Sequence, residues 1–153
     1  MVYQFDPELN PNGLNFMKEW GCYFCSLLKI AEDQRGRKFS AKEAYSVYLA
    51  AMYTGVVQKE EFKDDGTIKD GVTVNDPDAL LRIAGGKGTV RKVDGAGYQC
   101  APGERQILRF YNPATGYKHF VVGDGKGKVD WDPLEKSNTV KNGYVVEQRI
   151  IKE

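Results

Sequence analysis

Residues 21–31, Gly-Cys-Tyr-Phe-Cys-Ser-Leu-Leu-Lys-Ile-Ala, decide how the first half of the chain folds. Apolar side chains recur in this stretch at roughly every third or fourth position, which is the spacing of one buried helix face. The pattern predicts a helix from about Cys22 to Glu32, and Gly36 ends the segment. Gly21 permits a closely approaching backbone just before the helix. Cys22 therefore stands in the first helical turn, where the peptide dipoles favour a thiolate and lower the thiol pKa.

Two further helices are predicted from the signals at their starts. Ser40-Ala41-Lys42-Glu43 is a capping box, in which the serine hydroxyl and the glutamate satisfy free backbone N–H groups of the first turn. Asn75-Asp76-Pro77 begins a third, short helix, because proline is tolerated in a first turn whose N–H groups lack helical partners anyway. Apolar residues at helical spacing follow both signals. Three helices are thus predicted before residue 85.

The second half of the chain is predicted to form strands, which are separated by turns that contain glycine. The helices come first and the strands later, which favours an α+β fold with N-terminal helices packed on a C-terminal antiparallel β-sheet. The length suits a single domain over residues 1–153, with residues 1–14 as an irregular lead-in and a turn at Asn12-Gly13. The predicted strands cover residues 89–93, 106–111, 118–123, 128–131 and 144–151, and residues 72–74 have strand potential.

Charge and composition exclude several classes of protein. The net charge of +1 gives no long-range attraction to nucleic acid or to an anionic membrane surface. No apolar stretch approaches the ~18 residues of a membrane span, and residues 1–12 lack the pattern of a secretory signal. Three cysteines cannot form a complete disulfide framework, which indicates free thiols in a reducing compartment. We therefore expect a cytoplasmic protein without a nucleic-acid or membrane partner, whose oligomeric state the sequence does not indicate.

The only histidine, His119, lies on a strand that a turn joins to the next predicted strand. If the turn is centred between Gly125 and Lys126, antiparallel pairing places His119 directly opposite Asp132. Cross-strand neighbours have Cβ atoms about 4.5–5.5 Å apart, so the carboxylate can orient the imidazole. Asp130 faces the same side of the sheet, because alternate strand residues share a face, and it is the reserve candidate.

Cys22, His119 and Asp132 together supply a nucleophile, a general base and an orienting carboxylate. The motifs that carry them resemble those of papain-like cysteine peptidases of the bacteriocin-leader-processing type, a group that includes small phage and prophage proteins. Gly21-Cys22 with Ser26-Leu27 resembles the Gly-Cys-x-x-x-Ser-Leu helix start of that group. His119-Phe120-Val121-Val122 resembles its His-Tyr/Phe-Val-Val strand, and Trp131-Asp132-Pro133 resembles its Asn-Asp-Pro strand end.

The resemblance implies a papain-like fold and hydrolysis of an amide or peptide bond in a peptide or protein substrate. In that reading Cys22 is the nucleophile, His119 the general base and Asp132 the orienting residue. It implies no metal and no organic cofactor. An acyl–Cys22 intermediate follows from the same reading.

One position departs from the family pattern. The family has a glutamine six residues before the cysteine, which donates a hydrogen bond to the oxyanion, whereas this chain has Phe16 there. Asn15 and Glu19 are nearby without the expected spacing. Loss of one oxyanion donor costs ~10²–10³ in rate. A second interpretation therefore stays open, in which the chain is a catalytically inactive papain-like binding protein, such as a phage protein that acts on a host protein in the host cytoplasm.

The cysteine pair allows a lesser alternative. Cys22 and Cys25 are spaced as C-x-x-C, and with Cys100 and His119 they could supply a structural Cys₃His zinc site. Structural zinc sites usually have short-spaced ligands at both ends, and here Cys100 and His119 are isolated in the sequence. A thioredoxin-like redox pair would need a strand before the motif, which the sequence does not predict.

Overall fold

The chain forms N-terminal helices followed by an antiparallel sheet, as the sequence predicts. A computed structural model describes residues 1–11 and 15–153, so the predicted turn at Asn12-Gly13 lies outside the described residues. The helices are α1 (Phe16–Trp20), α2 (Cys22–Arg35), α3 (Ala41–Tyr53), α4 (Pro77–Ile83) and α5 (Asn138–Asn142). The strands are β1 (Val57–Gln58), β2 (Glu61–Phe62), β3 (Ile68–Asp70), β4 (Thr73–Val74), β5 (Thr89–Asp94), β6 (Glu104–Tyr111), β7 (Lys118–Gly123), β8 (Val129–Trp131) and β9 (Tyr144–Lys152).

Local signals in the sequence explain where the three predicted helices begin and end. The Ser40 side chain accepts a hydrogen bond from the N–H of Glu43, which confirms the serine half of the predicted capping box at the start of α3, whereas the Glu43 carboxylate accepts from the Ser40 hydroxyl and not from a backbone N–H. The Asp76 side chain caps α4 in the same way. Gly36 ends α2 in the left-handed conformation, with φ of 69°, which glycine adopts at little cost.

Five strands form the main sheet, in the order β5-β9-β6-β7-β8, and every neighbouring pair is antiparallel. The chain reaches this order because β9 inserts between β5 and β6. Strands β1 to β4 form two small two-stranded sheets that connect α3 to α4. Helix α2 packs against β7, so the helical layer lies directly on the sheet near its β8 edge.

The register of the β7–β8 hairpin differs from the prediction. Val122 pairs with Trp131, so the strand register does not place His119 directly opposite Asp132. The closing bond of the turn runs from the N–H of Asp124 to the carbonyl of Lys128 at 2.8 Å, which centres the turn on one residue and not between two. A β-bulge in β8, where Val129 and Trp131 pair with the successive residues Gly123 and Val122, adds a further shift. Beyond the bulge the total shift is even, so Trp131 keeps its predicted face of the sheet.

The hydrophobic core lies between α2 and the sheet, with α1, α3 and α4 around it. Phe24, Leu27 and Leu28 of α2 are fully buried there, as their helical spacing predicts. The lead-in also packs on this body, because Leu9 is fully buried and Tyr3 stacks on the ring of Trp131 at 5.8 Å. No helix among the described residues is long and apolar enough to cross a membrane.

Candidate active site

Cys22 begins a new helix because the chain leaves its helical path at Gly21. In a continuous helix the N–H of Cys22 would bond the carbonyl of Lys18, four residues earlier. That carbonyl instead accepts a hydrogen bond from Nε2 of Gln4 at 2.6 Å. A Cβ on Gly21 would lie 2.5 Å from the carbonyl oxygen of Met17, so the close approach requires glycine. The break leaves the backbone N–H of Cys22 without its helical bond, at the head of α2.

The first turn of α2 lies against β7 at Phe120, before the point where β8 begins to pair with that strand. The backbone N–H of Phe120 hydrogen-bonds the sulfur of Cys22. The carbonyl of Phe120 accepts a hydrogen bond from the Ser26 hydroxyl at 3.4 Å. The rings of Tyr23 and Phe120 pack with centroids 4.5 Å apart. These contacts hold the Cys22 sulfur against Phe120. The sulfur therefore lies beside His119, the residue before Phe120 in β7.

His119 lies between Cys22 and Asp132 and contacts both. Its Nε2 is 2.7 Å from Oδ1 of Asp132, and the imidazole also hydrogen-bonds the Cys22 thiol. Because Nε2 faces the carboxylate, Nδ1 is the nitrogen left for the sulfur. The Asp132 carboxylate accepts hydrogen bonds from the N–H groups of Leu134 at 2.8 Å and Ser137 at 3.1 Å. The loop after β8 therefore fixes the carboxylate, which in turn orients the imidazole.

The reserve candidate, Asp130, takes no part in this arrangement. Its side chain is exposed on β8, whereas Asp132 is buried just past the end of that strand. The structure thus brings Cys22, His119 and Asp132 together and leaves Asp130 outside. The predicted contact between His119 and Asp132 is present although the predicted register is wrong, because the loop and not the strand pairing supplies the carboxylate.

Electrostatics favour a thiolate–imidazolium pair. Burial alone would raise the pKa of Cys22, but the hydrogen bond and positive charge of His119, with two backbone N–H groups, outweigh burial and lower that pKa. Burial alone would lower the pKa of His119, but hydrogen bonds with Asp132 and Cys22 raise that pKa to about 9. Burial likewise opposes ionisation of Asp132, yet its hydrogen bond with His119 holds the pKa of the carboxyl below its usual range.

The other two cysteines lie apart from this pair. Cys25 is one helical turn beyond Cys22, fully buried in the core, and burial raises its pKa. Cys100 lies between β5 and β6, where burial also raises its pKa. Within the described part of the chain, no three His, Cys, Asp or Glu side chains are placed to hold one metal ion. The Cys₃His zinc alternative is therefore wrong, because Cys25 and Cys100 do not converge with His119.

A groove of about 940 Å³ opens beside the thiol and the imidazole. This volume falls in the ~300–1,000 Å³ range of sites that hold small molecules or short segments of chain. Cys22 and His119 both line it, so the reactive groups face a space that a substrate can enter. Its other walls come from α1, β4, the residues just before β4, and neighbouring strands β6, β7 and β9. Exposed aromatic side chains lie at its rim, namely Trp20 and Tyr117.

The position six residues before Cys22 supplies no donor to the groove. Phe16, which occupies it, is buried in the core and packs on a tyrosine ring of α3. Asn15 is exposed at the start of α1, and among these three residues only Glu19 lines the groove. The glutamine that does line the groove is Gln4, in the lead-in. No sequence signal marks Gln4, because its neighbours show neither helical nor strand periodicity.

Gln4 is 2% exposed and links two parts of the site. Its backbone N–H donates to the carbonyl of Pro133 at 2.9 Å, in the loop after β8. Its side-chain Nε2 donates to the carbonyl of Lys18, as described above. Its Oε1 is buried and has no hydrogen-bond partner among the described residues. Gln4 therefore ties the loop that orients the imidazole to the segment that precedes Cys22.

Comparison with known proteins gives a family but no relative of known structure or activity. A family model described as a protein of unknown function, DUF261, matches residues 8–153. No curated protein matches the chain, and no solved structure matches it. The resemblance to papain-like peptidases therefore stays a prediction, and the site geometry carries the functional inference.

Proposed function

The chain belongs to the DUF261 family, and we propose that it is a cysteine-dependent hydrolase that cleaves an amide or peptide bond in a peptide or protein. The observation that carries the proposal is the contact of His119 with both Cys22 and Asp132 at the wall of a groove. A papain-like arrangement belongs to the same proposal. In its support, a cysteine opens a helix that packs on an antiparallel sheet, and the histidine lies on the strand that the helix contacts.

In the first half-reaction, the thiolate of Cys22 attacks the carbonyl carbon of the substrate and forms a C–S bond and a tetrahedral oxyanion. The oxyanion collapses, the C–N bond breaks, and the imidazolium of His119 gives its Nδ1 proton to the leaving amine. Asp132 holds the ring through Nε2 and stabilises its positive charge before the proton leaves. The product is an acyl–Cys22 thioester and a free amine.

In the second half-reaction, water attacks the thioester. The neutral imidazole of His119 takes a proton from the attacking water through Nδ1, which restores the imidazolium. The C–S bond then breaks, the substrate acyl group leaves as a carboxylic acid, and Cys22 returns to the thiolate. The cycle consumes one water molecule and ends with the Cys22 thiolate and the His119 imidazolium that were present at its start.

We assign the oxyanion to the backbone N–H of Cys22. Gln4 occupies the Lys18 carbonyl that would otherwise accept this N–H, and Gly21 permits the break between the helices. Free N–H groups at the start of a helix are suited to a developing negative charge. In this proposal Gln4 is a positioning residue, and a backbone donor takes the place of the glutamine side chain of the papain-like family.

The proposal is tested with a peptide library prepared from a whole-cell digest, in which new termini are identified by mass spectrometry. We expect new termini with the wild-type protein, none with Cys22→Ser, and a loss of at least ~10²-fold in rate with His119→Ala, since general acid–base catalysis contributes that much. Asp130→Asn is the matched control and should retain activity. If the wild-type protein produces no Cys22-dependent termini, the hydrolase proposal is contradicted and the inactive binding protein becomes the better interpretation.

A further inference from the structure

Beyond the first turn of α2, the sheet face that this helix covers becomes cationic. Arg109 of β6 and Arg149 of β9 lie on the same face as Phe120, and both line the groove. The Arg109 guanidinium is 4.9 Å from the centre of the Phe120 ring. The Arg149 guanidinium is 5.4 Å from the same ring and 5.8 Å from the ring of Tyr23. Since these two rings belong to the residues next to the thiol and the imidazole, the guanidiniums flank the reactive end of the groove.

A single carboxylate, Glu147, is shared by three cations, of which Arg109 and Arg149 line the groove and Lys92 does not. Its oxygens lie 2.5 Å from Arg109, 2.9 Å from Lys92 and 3.5 Å from Arg149. Burial alone would raise the pKa of Glu147, but the hydrogen bonds from Arg109 and Lys92 lower that pKa to about 2. The carboxylate is therefore charged at neutral pH. Lys92 also lies 3.7 Å from the Asp94 carboxylate, so three positive charges meet two negative charges and a surplus of one positive charge remains.

The rest of the groove does not cancel this surplus. Lys18 and Lys118 line it against Glu19 and Asp70, so the other lining charges balance one another. The Nε of Arg109 is buried, and no group in the described part of the chain accepts its hydrogen. Guanidinium groups match the geometry of carboxylates, which they bind through paired N–H groups. The groove thus offers the positive charge of two guanidinium groups on walls that it shares with the Cys22 thiol.

We propose that the groove selects substrates with a carboxylate next to the bond that Cys22 attacks. The reaction itself rests on the proposed function, whereas the charge selectivity is a property of the groove that can be measured without turnover. The carboxylate belongs either to an acidic side chain of a peptide or to a peptide C-terminus. Arg109 and Arg149 are the residues that set this specificity.

Two alkylating reagents of similar size measure the selectivity directly. Iodoacetate carries a carboxylate and iodoacetamide a neutral amide, and with both reagents the thiolate displaces iodide and forms a C–S bond. Labelling of Cys22 and Cys100 is followed by mass spectrometry in the same full-length protein. We expect the iodoacetate-to-iodoacetamide rate ratio to be roughly 10-fold higher at Cys22 than at Cys100 at low salt, because a charged cleft concentrates ions of opposite sign. Added salt should reduce the difference.

Variants separate the arginines from the charge of the imidazolium. Arg149→Gln should lower the ratio at Cys22 several-fold, because a change in the thiolate fraction alters both labelling rates alike and only the anionic reagent also senses the lost charge. Arg37→Gln is the matched control, since Arg37 is an exposed cation just past the opposite end of α2. Lys118→Gln, an exposed rim variant, gives a second test should Arg149→Gln fail to fold.

The outcomes for the two proposals are distinguishable. If the iodoacetate-to-iodoacetamide rate ratio is the same at Cys22 and at Cys100, the anion selectivity is overturned. Rapid labelling of Cys22 by iodoacetamide in the same experiment would leave the hydrolase proposal in place. Slow labelling of Cys22 by iodoacetamide counts against the hydrolase, while the ratio still decides the selectivity.

The source of the carboxylate is assigned with two peptide libraries, one with free and one with amidated C-termini. Enrichment of Asp or Glu next to the cleaved bond in both libraries indicates a side-chain carboxylate. Cleavage that requires free C-termini indicates a terminal carboxylate. Cleavage without either preference would overturn the proposed selectivity.

Discussion

Replacing Asp132 by asparagine removes the charge that holds His119 protonated. The Nε2–Oδ1 distance of 2.7 Å puts the two groups in direct contact, and His119 is 4% exposed, so solvent screens the pair little. A contacting carboxylate shifts the pKa of its partner by about 1–3 units, which is ~1.4–4 kcal/mol. The pKa of His119 should therefore fall from about 9 by that amount, because burial lowers this pKa and the charge of Asp132 no longer offsets the effect of burial. NMR titration measures this without ambiguity, since the chain has one histidine.

Asp130→Asn is the matched control for this measurement. Asp130 is exposed and two positions earlier in the chain, and its replacement should leave the titration of His119 unchanged. An unchanged His119 pKa in Asp132→Asn would refute the reasoning, as would a wild-type histidine that titrates at the ordinary ~6.5. Equal shifts in both variants would show that the effect is long-range and not due to the hydrogen bond.

Two further substitutions test how the helix break is built. Gln4→Leu removes the hydrogen bond to the Lys18 carbonyl, and we expect a loss of about 1–3 kcal/mol in the free energy of unfolding together with slower Cys22-dependent peptide cleavage. Urea unfolding and the cleavage assay on the same sample check this, and cleavage at the wild-type rate would contradict the positioning role. Gly21→Ala would bring a Cβ to 2.5 Å from the Met17 carbonyl oxygen, so we expect it to cost roughly 1–3 kcal/mol in urea unfolding. Gly97→Ala, with open space around it, should be nearly neutral; equal stability of the two alanine variants would show that the close approach is unimportant.

Local signals were sufficient to predict the elements that carry the nucleophile and the base. The periodicity after Cys22 predicts α2, and the capping box at Ser40 predicts α3, because both depend on residues within one or two helical turns. Four strands of the main sheet are long enough for their apolar and β-branched residues to predict them, and the short β8 is predicted from the turn that joins it to β7. Strands β1 to β3 have two or three residues each, and α1 has only five, so none of these elements is long enough to show a periodicity in the sequence.

Features that depend on distant contacts could not be predicted. Gln4 acts through carbonyls of α1 and a backbone contact to Pro133, and nothing in its neighbouring sequence indicates those partners. The hairpin register depends on where the turn is centred, which a loop hydrogen bond sets, and on the bulge in β8. Asp132 still reaches His119 because the loop after β8 carries it there, a contact that strand pairing alone does not describe.

The negative charge on Cys22 is tested most directly by titrating its thiolate through ultraviolet absorbance, as the difference between the wild-type protein and Cys22→Ser. The hydrogen bond and charge of His119 should make this thiol ionise below the ~8.5 of a free cysteine, whereas Cys25 and Cys100 ionise above it. In His119→Ala only burial and the backbone N–H groups remain, and the Cys22 titration should move upward. A Cys22 thiol that ionises at or above the free value, and does not respond to His119→Ala, would contradict the thiolate–imidazolium pair.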